Sequence, residues 1–344
     1  MPVSATRLRA DFLTLEDLAR YSQDWILEGQ FRLHSPHTVA TRRIFIKNLL
    51  WFLKQQRHER CGTPELKRFF AYLSTGHTEL GGRWGNAQLT KPLRPVSIKD
   101  YFGNFRSMFK WFVDEGYLDI SPVDAIPAPK VRASQIQPLS PEHVNALLKA
   151  ARGSQCPRRD TAIVMLLLDC GLRASELCTL TIKNLDLEVR RCYVLGKGNK
   201  YRSVFFGRNT ARALWQCLKG QNREDDDYVF YGERGRRARE PLQPNGLLQL
   251  VHRLGDAANI KSVRCSPHTL RHTFAVSFLR AGGNVFTLRE VLGHTNLQMT
   301  QKYVVIAEAD VEEQSRLFSP MDRLEAGHRG TLQMVTARSR PSKM

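Results

Sequence analysis

The chain has 344 residues, enough for two domains of ordinary size, and its 42% hydrophobic and 9% aromatic content excludes a largely disordered chain. Lys and Arg total 52 against 33 Asp and Glu, a formal net charge of +19, which predicts a polyanionic partner such as nucleic acid; a merely basic protein is the alternative. The apolar stretches are too short to span a membrane, and the polar first residues do not resemble a signal peptide, so we expect a cytoplasmic protein with no membrane partner.

The first part of the chain is predicted to form a helical domain over residues 1–125. Apolar residues recur at intervals of three to four, the period of an amphipathic helix, over 15–27, 37–52, 64–73 and 97–113. A glycine-rich loop is predicted over 76–95. Residues 126–137 hold two prolines and no periodic apolar face, which indicates an extended linker.

The second part, residues 138–318, is predicted to combine helices with one β-hairpin. Its first helix begins at Ser140-Pro141-Glu142, where an N-cap hydroxyl, a first-position proline and an acid follow one another. Two stretches favour strands, 189–195 and 202–206, and the glycine-rich residues 196–200 between them are typical of a hairpin turn. Further helices are predicted over 159–169, from Ala174, and over 210–218, 243–257, 268–281, 285–292, 297–303 and 308–317. We expect a flexible basic tail over 319–344.

The seven cysteines predict reduced core positions. Their number is odd and no pair has C-x-x-C spacing, so neither a disulfide framework nor a zinc site is indicated. Several of them lie in apolar runs, as Cys170 does. The chain also lacks a P-loop sequence and a clustered set of Asp and Glu, and we therefore expect no metal and no cofactor.

Five short motifs in the second part carry groups suited to a phosphodiester. They are G-L-R-A-S-E-L with Arg173, G-K-G-N-K with Lys197, S-P-H-T-L-R-H with His268 and Arg271, L-G-H-T with His294, and Tyr303 nine residues after that histidine. Each motif alone has an ordinary alternative: a surface ion pair for the arginine, a simple turn for the lysine and packing for the tyrosine. His268 and His272 are spaced like a zinc pair, but no acid follows His268 as a metalloprotease helix requires.

In this order and spacing, the motifs resemble those of the tyrosine recombinase (phage integrase) family, most closely its Xer-like and transposon-encoded branch. The resemblance covers about residues 10–317 and is specific over 138–317. It implies a mainly α fold with a small β-hairpin or sheet, made of an N-terminal helical core-binding (SAM-like) domain and a C-terminal tyrosine recombinase catalytic domain. The implied catalytic residues are Arg173, Lys197, His268, Arg271, His294 and Tyr303.

The reaction that the resemblance implies is a transesterification without metal or ATP. Tyr303 would attack a DNA phosphate and displace a 5′-hydroxyl, and a 5′-hydroxyl of another strand would then resolve the 3′-phosphotyrosine. Arg173 and Arg271 would bind the non-bridging oxygens, because a guanidinium stays charged and binds phosphate bidentately. His294 would add a third donor.

Two residues have implied roles in proton transfer. Lys197 would protonate the departing 5′-oxygen, and His268 would assist proton transfer as the base for Tyr303, whose free pKa lies near 10. Glu176, close to Arg173, is interpreted as an ion-pair partner that orients a neighbour.

The implied partner is a double-stranded DNA recombination site, bound by a homotetramer or by a heterotetramer with a paralogous recombinase, with accessory proteins as further candidates. The helix over 308–317 would dock on a neighbouring protomer or pack on its own domain. Candidate DNA contacts are the basic residues Arg42, Arg43, Lys47, Lys99, Arg106 and Lys110, whose alternative is a solvated helix face.

The motifs leave the biological task open among DNA integration, transposon recombination and dimer resolution. Two rival functions also remain. A type IB topoisomerase-like relaxase would use the same tyrosine chemistry, and a catalytically silent DNA-binding regulator would keep the fold alone.

Overall fold

The computed structural model describes residues 11–78, 81–131, 137–196, 201–232, 240–294, 296–307 and 321. The chain divides into two compact units, residues 1–134 and 135–344. The predicted helix over 308–317, the predicted turn residues 197–200 and all of the tail but Met321 lie outside the described residues. Within the described ranges, no helix has the length and apolar content needed to cross a membrane.

The described part of the first unit is helical. Its helices are α1 (Leu15–Phe31), α2 (Pro36–Gln55), α3 (Thr63–Ser74) and α4 (Pro95–Asp114). Hydroxyl caps fix two of the helix starts, because Thr14 accepts a hydrogen bond from the Asp17 amide and Ser35 accepts one from the Thr38 amide. Two short strands, β1 (Leu13–Thr14) and β2 (Arg60–Cys61), form an antiparallel pair.

The glycine-rich loop of the first unit packs against its aromatic core. It contains a 3₁₀ turn, Arg83–Gly85, in which Arg83 is buried and donates to the Lys91 carbonyl at 2.6 Å. Trp84 has a positive φ of 63° and stacks on Phe69 with 6.0 Å between ring centroids. This loop is therefore part of the packed unit.

The described part of the second unit is mostly helical and carries one small sheet. Its helices are α5 (Pro141–Arg152), α6 (Pro157–Cys170), α7 (Ala174–Cys178), α8 (Arg208–Leu218), α9 (Pro244–Ala257), α10 (Pro267–Arg280), α11 (Val285–Leu292) and α12 (Gln298–Ala307). The antiparallel sheet has the order β3 (Leu185–Asp186), β4 (Arg191–Leu195) and β5 (Tyr201–Phe205). Together with the helical first unit, this confirms the predicted mainly α fold with a small sheet.

Several predicted boundaries in the second unit differ from the structure by a few residues, among them the start of β4 and the end of α12. Arg190 has a positive φ of 55°, so a turn precedes β4 and leaves Val189 outside the strand. Helix α12 continues to Ala307, beyond the predicted end at Tyr303. Tyr303 therefore lies inside a helix, where its ring can be buried against α10.

Helices α6 and α10 pass through the centre of the second unit. Both are buried on several sides; α10 in particular buries ten of its fourteen residues, polar ones included. The Leu139 amide donates to the Thr273 hydroxyl of α10 at 2.9 Å, which joins the start of the unit to this central helix. Six of the seven cysteines are buried, as the apolar runs predicted.

Candidate active site

A left-handed glycine places Arg173 at the end of α6. Gly171 has a φ of 59°, and a Cβ built on it would lie 2.3 Å from a ring carbon of Phe274, so neither its backbone nor its surroundings accept a side chain. Helix α7 begins three residues later, at Ala174. Arg173 is the N-cap of α7.

Glu176 ties together two arginines from different elements. Its side chain, 3% exposed, accepts hydrogen bonds from Arg173 Nη1 at 2.7 Å and from Arg202 Nη1 and Nη2 at 2.8 and 2.9 Å. Burial raises the pKa of this carboxyl, but the hydrogen bonds and charges of Arg202 and Arg173 outweigh burial and lower the pKa to about 2. Glu176 is therefore ionised and orients both guanidinium groups, in the way that its spacing from Arg173 indicated.

Arg271 of α10 is held by backbone carbonyls. It is 3% exposed and donates to the carbonyl oxygens of Gly171 and Leu292, at 2.7 Å each. Burial, followed by the charge of Arg173, lowers its pKa to about 10. The guanidinium is thus fixed before any phosphate arrives.

The other two arginines are fixed in the same way at the end of α11. Arg173 Nη2 donates to the Gly293 carbonyl at 3.0 Å, and Arg202 Nε donates to the Val291 carbonyl at 2.7 Å. Gly293 is a second left-handed helix end, with a φ of 62°. Carbonyls at a helix C-terminus lack helical partners and carry partial negative charge, so they suit guanidinium donors.

His294 lies directly after this glycine and contacts the arginine cluster. Arg271 Nη2 donates to His294 Nε2 at 3.0 Å, since a guanidinium cannot accept. Burial, then the charges of Arg271 and Arg173, lower the pKa of His294 to about 4, so the ring is neutral and carries its proton on Nδ1. That nitrogen donates to the buried Thr300 hydroxyl at 2.9 Å.

Tyr303 of α12 faces the same cluster, and its ring is 1% exposed. Its hydroxyl lies 2.7 Å from His272 Nδ1, and the amine of Lys302 lies 5.1 Å from its ring centroid. Burial raises the pKa of Tyr303, whereas the charges of Arg271 and Arg173 lower it. The hydroxyl therefore stays protonated unless a base takes its proton.

The predicted base, His268, does not hold the Tyr303 hydroxyl in this structure. His268 is exposed, and its ring lies edge-on to His272 with 4.0 Å between centroids. The contact belongs to His272, one helical turn further along α10, which the sequence singled out only as half of a rejected zinc pair. Lys197 lies outside the described residues, beyond the end of β4.

The predicted DNA-contacting residues lie on α2 and α4 of the first unit. Arg43, Lys47, Lys99 and Arg106 are exposed. Arg42 is partly buried with its guanidinium 3.8 Å from the centroid of the Trp25 ring, and Lys110 pairs with Asp114 at 3.1 Å.

The phage integrase family matches the chain over residues 137–309, the range that contains this arginine, histidine and tyrosine cluster. The chain belongs to this family. Among its relatives, the tyrosine recombinase XerC of Shewanella amazonensis is 31% identical over 288 residues, which cover 83% of this chain and 90% of that protein. XerC of Salmonella typhi is 33% identical over 215 residues, which cover 62% of this chain and 70% of that protein.

Solved structures share the fold. The integrase of transposon Tn1549, in complex with transposon right-end DNA, superposes with a TM-score of 0.64 at 19% identity; the match covers 89% of this chain and all of the other. The protein is thus a site-specific tyrosine recombinase, an enzyme that acts on DNA, and the predicted Xer-like family is confirmed.

Proposed function

We propose that this recombinase cuts DNA by attack of Tyr303 on a phosphodiester and rejoins it through a 3′-phosphotyrosyl intermediate. One observation carries the proposal: four separate segments bring Arg173, Arg271, His294 and Tyr303 together, through hydrogen bonds of the arginines and His294 and through a ring contact of His294 with Tyr303. His294 connects the arginines to Tyr303. It accepts a hydrogen bond from Arg271, and its ring is nearly parallel to that of Tyr303, with 6.3 Å between centroids.

The arginines would stabilise the transition state. Negative charge grows on the non-bridging oxygens as the tyrosine attacks, and a fixed donor aimed at such charge contributes about 3–4 kcal/mol. Arg173 and Arg271 are already held by carbonyls, and Arg173 also by Glu176, so little reorganisation is needed when DNA binds.

Proton transfers complete the reaction. Lys197 would protonate the departing 5′-oxygen, and the exposed His268 would assist proton transfer beside His272. His294 Nε2 accepts from Arg271 in the free protein; a bound phosphate favours a second proton on the ring, and His294 would then become a donor to that phosphate. No metal or nucleotide is required in this scheme.

The substrate would be a double-stranded recombination site. The exposed basic residues on α2 and α4, together with the net charge of +19, support phosphate contacts that give affinity with little sequence choice. The proposed DNA contacts are Arg42, Arg43, Lys47, Lys99, Arg106 and Lys110, of which Arg42 is partly buried against Trp25.

Exchange between two duplexes cut at two sites each requires four protomers. We expect a homotetramer on DNA, or a heterotetramer with a paralogous recombinase. The exchange would serve DNA integration, transposon recombination or dimer resolution.

The test is covalent capture on a nicked recombination site, in which the released fragment diffuses away and the adduct accumulates. The wild-type chain should give a protein–DNA adduct on a denaturing gel. The Tyr303→Phe chain should bind the same DNA and give none. If the wild type forms no adduct that Tyr303→Phe lacks, the proposed chemistry is wrong.

A further inference from the structure

The Tyr303 hydroxyl contacts a side chain to which the proposed reaction gives no role. His272 Nδ1 lies 2.7 Å from that hydroxyl, and the two ring centroids are 5.4 Å apart. Both side chains are buried, and α10 and α12 hold them in place. The contact is short and enclosed, as a proton-transfer pair requires.

The protonation states of the two groups allow Tyr303 to be the donor in this hydrogen bond. Burial, followed by nearby positive groups, lowers the pKa of His272 to about 3, so its ring is neutral. A neutral imidazole has one donor and one acceptor nitrogen. A protonated Tyr303 donates to Nδ1 when the ring proton of His272 lies on Nε2, and this is the tautomer that proton transfer from Tyr303 requires.

We propose that His272 is the proton acceptor for Tyr303 in strand cleavage, an inference that rests on the proposed function. As the bond from the tyrosine oxygen to phosphorus forms and the bond from phosphorus to the 5′-oxygen breaks, the phenolic proton passes to His272 Nδ1. The leaving oxygen takes its proton from Lys197, the proposed acid. In rejoining, the imidazolium of His272 returns the proton to the departing phenolate.

The electrostatics around Tyr303 show why a proton acceptor is needed at its hydroxyl. Burial raises the pKa of Tyr303, and the charges of Arg271 and Arg173 oppose burial without cancelling it. An acceptor at the hydroxyl is therefore needed for attack at neutral pH.

Substrate binding would strengthen this acceptor. After burial, the groups that lower the pKa of His272 are His268, Lys302, Arg271 and His294. A phosphodiester bound among these groups adds a negative charge that offsets their effect, so the pKa of His272 rises when DNA arrives. The basicity of His272 is thus coupled to the presence of the phosphate.

The first test compares two histidine variants that keep a hydrogen-bond acceptor. In His272→Asn, the side-chain oxygen can take the place of Nδ1 and accept from Tyr303, but it cannot keep the proton. We expect the single-turnover rate of adduct formation on the nicked site to fall about 100-fold or more, because general base catalysis contributes about 10²–10⁴-fold. The matched control is His252→Gln, which keeps an acceptor at the position that bonds to Arg264 and should leave the rate unchanged.

The pH dependence distinguishes a lost base from a lost packing contact. With His272 present, the cleavage rate should level off once the imidazole is neutral. In His272→Asn, hydroxide must take the proton, so the rate should rise about tenfold per pH unit. A fluorinated tyrosine at position 303 has a more acidic phenol. It should raise the cleavage rate of His272→Asn by a larger factor than that of the wild type.

A measurement of the His272 ring itself is independent of how the His272 variants fold. Nitrogen NMR of the histidines should show the proton of His272 on Nε2, and with nicked DNA in the Tyr303→Phe chain the pKa of His272 should rise. A proton on Nδ1 would overturn the proposal, and so would a His272→Asn chain that cleaves at the wild-type rate. Faster cleavage would instead mean that His272 holds Tyr303 away from DNA. If the wild type itself forms no adduct, it is the proposed function that fails.

Discussion

Replacing Glu176 by Gln should destabilise the second unit by about 3 kcal/mol at pH 7. The carboxyl has a pKa of about 2 against an ordinary 4.5, and that difference corresponds to about 3 kcal/mol of preference for the ionised form in the folded chain. Breaking a buried ion pair from one side costs about 3–5 kcal/mol, which agrees. The amide would leave Arg202 and Arg173 with one acceptor in place of two carboxylate oxygens.

The sign of the pH effect follows from the lowered pKa. The stabilisation is complete above the unfolded pKa near 4.5 and is lost as the pH falls from there towards 2. The wild type should therefore lose this contribution in acid, while Glu176→Gln has none to lose. The difference between the two chains should shrink to about half at pH 3.

Urea unfolding of the full chain, followed by circular dichroism at pH 7 and pH 3, measures this difference. Glu188→Gln is the control, since Glu188 is an exposed acid of the same unit and its replacement should change the free energy of unfolding by less than about 0.5 kcal/mol. This role of the Glu176 carboxylate would be refuted if Glu176→Gln lowered the free energy of unfolding by less than about 1 kcal/mol at pH 7. It would also be refuted if the wild type and Glu176→Gln differed as much at pH 3 as at pH 7.

Two further changes test other parts of the structure. Gly171→Ala should destabilise the chain more than Gly220→Ala, by about 1–3 kcal/mol in thermal or urea unfolding. Both glycines have a positive φ, but only a Cβ at position 171 would contact Phe274. Equal losses of stability in the two variants would contradict this packing. Lys47→Ala should weaken DNA binding and reduce the slope of log Kd against log salt by about 1. Arg42→Ala removes a guanidinium stacked on Trp25, so it should change this slope less and should lower the stability of the first unit. A salt titration in which Arg42→Ala changed the slope more than Lys47→Ala would disprove Lys47 as the stronger phosphate contact.

Local signals in the sequence were sufficient to predict most helices. Ser140 and Ser266 each cap a helix with proline at its first position, and apolar periodicity marks the turns after each proline. The strands of two residues were not predictable, because so short a stretch has no periodicity. The turn before β4 depends on the positive φ of Arg190, which its residue type does not indicate.

The motifs identified the charged groups of the site but not their contacts. Arg202 gave no signal, since a lone arginine in a strand is usually a surface residue, yet it binds Glu176 with two nitrogens. His268 and His272 are one turn apart on α10, and sequence spacing alone cannot decide which of them reaches Tyr303. That choice depends on how α12 packs on α10, which is a tertiary property.

The helix ends at Gly171 and Gly293 act together to hold the arginines of this site. Gly171 ends α6 and Gly293 ends α11, and the carbonyls at these two helix ends accept hydrogen bonds from Arg173, Arg202 and Arg271. Helix C-termini carry partial negative charge, so they stabilise clustered guanidinium groups without adding the full negative charge of a carboxylate.

Within the described residues of this cluster, Glu176 is the one carboxylate that bonds to any of these arginines, and it bonds to Arg173 and Arg202. The positive charge therefore exceeds the negative charge before DNA binds, as the lowered pKa values of Arg271, His294 and Lys302 reflect, although burial is the larger cause for each. A phosphodiester supplies the missing negative charge. A second carboxylate placed there would cancel most of the charge of the three arginines, and the attraction for phosphate would fall. Partial charges of helix ends therefore suit the site better than further acids do.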